Sequence, residues 1–161
     1  IRSASDAFTL FEAVRQGILP LRRHRLSQAE RDNLASGQVF VWIESSEADG
    51  LERWTDGRKW SPSRTRDVFL VYEERDEPSV DENLEKASRR SASSCAFLPD
   101  RPPKPDGLMK QTFSAWVLTS STGQRVKWHM SAYLSRTKGA ELPTVQDDPL
   151  LQSIQVPAGI F

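Results

Sequence analysis

Leu108-Met109-Lys110-Gln111-Thr112-Phe113-Ser114-Ala115-Trp116-Val117-Leu118 and, after the turn-like Thr119 to Gly123, Arg125-Val126-Lys127-Trp128-His129-Met130-Ser131-Ala132-Tyr133 decide how this chain folds. The second run alternates apolar and polar residues, the period of a strand with one buried face. Two such runs joined by a short turn read as a hairpin, with Val126, Trp128 and Met130 facing a core. A lone hairpin buries too little apolar surface to stand by itself in water. Its cover has to come from the first half of the chain.

That half supplies it. Ser5-Asp6 precedes Ala7, Phe8, Leu10, Phe11 and Val14, a helical spacing stopped by Gly17 and Pro20. Ser27-Gln28-Ala29-Glu30 is a capping box, and the helix it opens is expected to end at Gly37. Gln38–Glu44 and Asp67–Glu73 are β-branched and aromatic, so both are expected as strands, buried on both faces. Asp148-Pro149 starts a short helix near the end, and Asp147-Asp148 reads as a capping pair. Neither half is self-sufficient, so the expected fold is one α+β domain in which both share a sheet system. Between them, residues 74–107 hold an acidic block, a Ser/Arg patch and Pro99, Pro102, Pro103 and Pro105, with few apolar anchors. They read as a linker or long loop, with a short helix near Glu82–Ala87.

Composition limits the function. At 161 residues, 37% hydrophobic and 27% charged, the chain suits one ordinary globular domain. No apolar run approaches the roughly 20 residues needed to cross a bilayer, and no signal-peptide pattern opens the sequence. Beginning at Ile1, it is expected to be a piece of a longer protein. The single Cys95 cannot form an internal disulfide, which fits a reducing compartment. Formal net charge is zero, yet the charges are segregated. Arg53, Arg58, Lys59, Arg64 and Arg66 face one acid, Asp56, whereas Glu73 to Glu85 holds seven acids and one cation, Arg75. A basic face can exist despite the total.

No catalytic residue is assigned. His24 sits among arginines and suits phosphate contact, while His129 occupies a strand as a structural histidine. The sequence carries no phosphate-cradling glycine loop, metal-spaced Cys/His cluster or nucleophile elbow, so no enzyme, metal or cofactor is expected.

The chemistry concentrates in Arg53-Trp54-Thr55-Asp56-Gly57-Arg58-Lys59-Trp60-Ser61-Pro62-Ser63-Arg64. Asp56-Gly57 marks a tight turn and Ser61-Pro62-Ser63 a second bend. Trp54 and Trp60 are expected to anchor the turn or to touch a ligand. Arg58 and Lys59 are expected to point outward, and Thr55, Ser61 and Ser63 can add phosphate contacts. Such a loop fits a narrow, A·T-rich minor groove, with Arg58 the expected insertion residue and Arg22 and Arg23 on phosphates. A module gripping an acidic or phosphorylated peptide, or an RNA-binding domain with a tryptophan platform, would use the same residues.

SGQVFVWIE, RWTDGRKWSPSR and FLVYEE together resemble the first box of the WOPR domain of the Gti1/Pac2 family of fungal transcriptional regulators. GLMKQTFSAWV and VKWHMSAYLS resemble its second box. The resemblance implies that residues 1–73 and 108–161 form one intertwined unit around a variable linker at 74–107. It implies sequence-specific binding to double-stranded DNA, in the nucleus, by a regulator of morphological or developmental switching. Other transcription factors would be partners through regions outside this fragment. Carried across by position, the DNA-contacting loop falls on Arg53 to Arg64, with Gly57 at its turn. Thr55 matches a possible regulatory phosphosite, but Glu52 stands where many relatives have a basic residue.

Overall fold

The computed structural model describes residues 1–46, 50–76, 102–119, 123–137 and 139–161. The expected hairpin is its centre. β5 (Leu108–Leu118) and β6 (Arg125–Ser135) pair antiparallel over their full length, from Leu108 opposite Ser135 to Leu118 opposite Arg125. The first half contributes the flanks: β1 (Leu21–Arg22) and β2 (Val39–Ile43) on one side, β3 (Arg64–Arg66) and β4 (Phe69–Glu73) on the other. The six strands run in the order β1-β2-β6-β5-β4-β3, all antiparallel except the β1–β2 pair. This is the α+β single domain that the sequence led us to expect, with strands of both halves interleaved.

Register sorts the residues into two faces. On one, Phe113, Val117, Met130 and Trp128 meet helix α1 (Ala4–Arg15), whose Ala7, Leu10, Phe11 and Val14 complete the main core. Ser3 caps α1 and accepts from the Asp6 amide, while the Asp6 carboxylate accepts from the Ser3 amide. Phe11 packs against both Phe113 and Trp128, with ring centroids 5.8 Å apart in each case. Burying these rings supplies the bulk of the stabilisation on this side, at about 25 cal/mol per Å² of apolar surface. On the opposite face Leu26, Leu34, Leu108 and Tyr133 form a smaller cluster under Phe40, Trp54 and Trp60. Here the cover is a loop.

Several expectations are corrected. Helix α2 (Gln28–Asp32) has its Ser27–Glu30 capping box but stops at Asn33, well before Gly37. Leu34 has to turn into the smaller cluster, where it is buried, and the Asn33 side chain donates to the Ala29 carbonyl to close the helix. Strands β1 and β3 lie in basic stretches to which the sequence assigns no strand. β4 is not buried on both faces, since Phe69 is inside while Leu70 is 42% exposed. The linker boundaries also move inward. Glu74 and Arg75 are buried, and the Glu74 amide donates to the Leu108 carbonyl. The short helix read at Glu82–Ala87 and the single Cys95 lie outside the described residues. Helix α3 (Pro149–Gln152) forms as expected, capped by Asp148.

Candidate nucleic-acid interface

Residues 51–63 leave β2, cross the smaller cluster and return to β3. Leu51, fully buried, starts the loop, and its carbonyl accepts from the Ser45 amide. At the far end the Ser61 amide donates to the Glu73 carbonyl and the Arg75 amide to the Lys59 carbonyl, so the loop closes like a short strand against β4. Ser61 is buried, its hydroxyl accepting from the Glu73 amide and donating to Pro62. That hydroxyl braces the bend from within.

The centre of the loop is Asp56, 4% exposed. Its carboxylate accepts from Trp60 Nε1 at 3.0 Å, Tyr133 Oη at 2.8 Å, Lys110 Nζ at 3.0 Å and the Arg58 amide at 3.2 Å. Trp54 Nε1 in turn donates to Tyr133 Oη at 2.7 Å. One buried carboxylate therefore gathers both tryptophans of the loop, one directly and one through a phenol. Burial by itself would raise the Asp56 carboxyl, but the Lys110 charge and the donated hydrogen bonds outweigh it and hold it below the usual range. Burial pushes the Tyr133 phenol well above its ordinary value, and Asp56 adds to that, so the phenol stays a donor. Lys110 is lowered by burial, partly offset by Asp56, and its ammonium also lies 4.4 Å from the Trp60 ring centroid.

Gly57 permits the turn. Its φ of +76° is a conformation that L side chains rarely adopt, and an added Cβ would sit 3.3 Å from Arg31 Cδ. Beside it, Arg58 folds back instead of pointing out. Its guanidinium donates to Glu74 at 2.8 Å and to the Leu34 carbonyl at 3.1 Å. Glu74 also accepts from the Leu108 amide and Lys104, tying the loop to the second half of the chain. Burial opposes ionisation of Glu74, but those donors and Arg58 hold its carboxyl below the usual range.

The residues singled out from sequence divide accordingly. Arg53, Thr55, Lys59, Ser63 and Arg64 are exposed, and among the described residues no carboxylate pairs with these cations. Arg58, Trp54 and Trp60 are half-buried braces, and Ser61 is inside. Arg22 donates to Glu30 at 2.6 Å and to the His24 and Arg25 carbonyls, while Arg23 and His24 stay exposed. His129 stacks on Trp42 with centroids 4.2 Å apart, between Ser114 and Glu44, as a structural histidine would. Lys110, Tyr133 and Glu74 were missed as parts of this site. A lysine at an inward strand position was the available signal, because a buried ammonium requires a carboxylate.

A mixed six-stranded domain with a braced, cation-bearing turn on one face defines a small binding domain. The chain belongs to the Gti1/Pac2 family, whose model matches residues 1–98. It is 34% identical over 193 residues to the cAMP-independent regulatory protein pac2 of Schizosaccharomyces pombe, covering 100% of this chain and 79% of that protein. It is 43% identical over 91 residues to the global transcription regulator FGP1 of Gibberella zeae, covering 56% of this chain but only 26% of that one. Among solved structures, the WOPR domain of Wor1 from Candida albicans in complex with 13bp dsDNA matches with a TM-score of 0.71 at 26% identity. That match covers 99% of this chain and 89% of the other.

Proposed function

We propose that this domain binds double-stranded DNA sequence-specifically as part of a fungal transcription regulator acting in the nucleus on morphological or developmental switching. The observation that carries the reading is the inward turn of Asp56. It is the only acid between Arg53 and Arg66, and it is buried against Lys110, so from Arg53 onward the exposed charges of the loop are cations, with Glu52 the exposed acid at its start. The solved Wor1 complexes, similar over nearly the whole chain, hold duplex DNA.

In this proposal the loop enters a narrow minor groove with Arg53 and Lys59 foremost, and Thr55, Ser63 and Arg64 meet the flanking phosphates. Arg58 is a brace here, because insertion would first break its bonds to Glu74 and Leu34. Arg23 contacts phosphate on the rim, and Arg22 holds α2 in place through Glu30.

Binding to duplex and single-stranded DNA and RNA of equal length, followed across a salt series, tests this. Preference for duplex, with affinity falling as salt rises, is the expected result. Equal or stronger binding to single strands would overturn it, and selection from random duplexes, which should return a common sequence, tests the specificity.

A further inference from the structure

Five arginines among the described residues are buried or half-buried: Arg15, Arg22, Arg31, Arg58 and Arg75. Four of them meet a carboxylate within 4.0 Å, Arg15 with Glu12, Arg22 with Glu30, Arg58 with Glu74 and Arg75 with Glu73. Arg31 meets none. Its Nε is enclosed by protein and donates to nothing, and among the described residues no oxygen takes a bond from the rest of its guanidinium. An enclosed donor without an acceptor costs free energy, and native folds seldom carry one without a use.

The surroundings show where an acceptor would sit. A cleft of about 390 Å³ separates α2 from the turn of the loop, lined by Gln28, Arg31 and Asp32 on one side and Asp56, Gly57 and Arg58 on the other. Both carboxylates of the cleft are engaged elsewhere. Asp32 accepts from the Gln28 side-chain amide at 2.7 Å, and Asp56 accepts from Lys110, Tyr133, Trp60 and the Arg58 amide. Arg31 Cδ lies 3.3 Å from where a Cβ on Gly57 would stand, so the stem of the arginine packs on the turn. α2 is itself fixed by its Ser27–Glu30 capping box and by Arg22. The charge is therefore held in place before any ligand arrives, and little rotamer freedom remains to be lost on binding.

Resting on the DNA-binding proposal, we infer that Arg31 holds one backbone phosphate of the duplex at the mouth of this cleft. An arginine seated over Gly57 cannot extend into a groove without leaving its seat, so it reads no base. Its terminal N–H groups form a planar fork that two oxygens of one phosphate can accept. Phosphate contacts set register and orientation, so Arg31 fixes how the neighbouring Arg53 and Lys59 address the groove.

The test compares the 161-residue chain with Arg31→Met, which keeps a packed stem without the charge, and Arg31→Lys, which keeps a charge without the fork. Affinity for the best duplex selected from random sequence is measured across a salt series. It is measured again with duplexes carrying a neutral methylphosphonate at each phosphate in turn. Arg31→Met should bind about tenfold more weakly, lower the slope of log affinity against log salt by about one, and melt as the parent does. Arg31→Lys should keep the slope and recover part of the affinity. One methylphosphonate position should weaken the parent and leave Arg31→Met unaffected. Parental affinity in Arg31→Met, or equal losses for parent and variant at every methylphosphonate position, would overturn this inference and leave the DNA-binding reading standing. Weaker binding with an unchanged salt slope and a lowered melting temperature would also overturn it, by making Arg31 a support of the turn alone. A parent chain with no preference for duplex would overturn both.

Discussion

The two faces of one sheet are closed by opposite means. Under α1, rings and aliphatic chains fill the space, and no single contact decides the arrangement. Under the loop, a carboxylate, an ammonium, a phenol and two indole N–H groups meet within hydrogen-bonding distance, and each needs the others. Apolar packing is non-directional and tolerates substitution of similar volume. A buried polar cluster gives no more stability than apolar packing of equal volume, but its bonds are directional. One face gives the domain its stability, and the other gives one loop its shape.

The sharpest way to break this contrast is a pair of truncations. Asp56→Ala leaves the Lys110 ammonium buried without its partner, at about 3–5 kcal/mol. Phe11→Ala opens the core at a similar cost, about 3–5 kcal/mol. Denaturant unfolding should show comparable losses, whereas DNA binding below the transition should collapse only for Asp56→Ala. Equal binding by both would remove the distinction between the faces.

Replacing the polar cluster as a unit sharpens it. A triple variant, Asp56→Leu with Lys110→Met and Tyr133→Phe, should recover most of the stability lost in Asp56→Ala, since an apolar substitute of similar volume is often neutral or better. Its affinity for the best duplex should not recover. Recovery of both would mean that the bonds do not set the loop.

Acid should separate the faces too. Asp56 and Glu74 both ionise below their ordinary values in the folded chain, so their contribution is complete above the unfolded carboxyl range, about 4. It is lost as pH falls through the lowered folded values. The denaturant midpoint should therefore hold from about pH 8 to 5 and fall below about 4, less steeply in the triple variant.

Smaller effects are expected at the loop's surface. Thr55→Glu adds negative charge beside the proposed phosphate path and should weaken duplex binding about tenfold, with Thr55→Val nearly neutral and both melting as the parent does. With Glu52 beside it, Thr55 is expected to be a poor substrate for a basophilic kinase, and Glu52→Lys should improve phosphorylation in a radioactive-phosphate assay. Lys59→Ala should lower the slope of log affinity against log salt by about one, while Arg58→Ala should lose stability first.

Much of the fold could be read from the chain because its signals are local. The alternation of Val126, Trp128 and Met130, the Ser27–Glu30 capping box and the helical spacing of Phe8, Phe11 and Val14 all act within a few residues. β1 and β3 escaped because two or three residues carry no period, and both are defined only by the neighbour they pair with. The site was half legible. Trp54, Gly57 and the cations announce a braced turn, but nothing beside Arg58 says that Glu74 will claim it. Nor does anything near Asp56 indicate that its partners are Lys110 and Tyr133, 54 and 77 residues further on. Long-range pairing is a property of topology, which local pattern does not carry.

Those separations bear on how the protein is made. As the ribosome releases the chain, the basic turn emerges long before Lys110, and Tyr133 follows later still. Until then Asp56 lies open to water with neither anchor, and the loop has no fixed shape. The proposed recognition surface therefore matures late, after the last β6 residues are free to pair. A message truncated anywhere between the two boxes would yield the full basic turn without the scaffold that gives it a form.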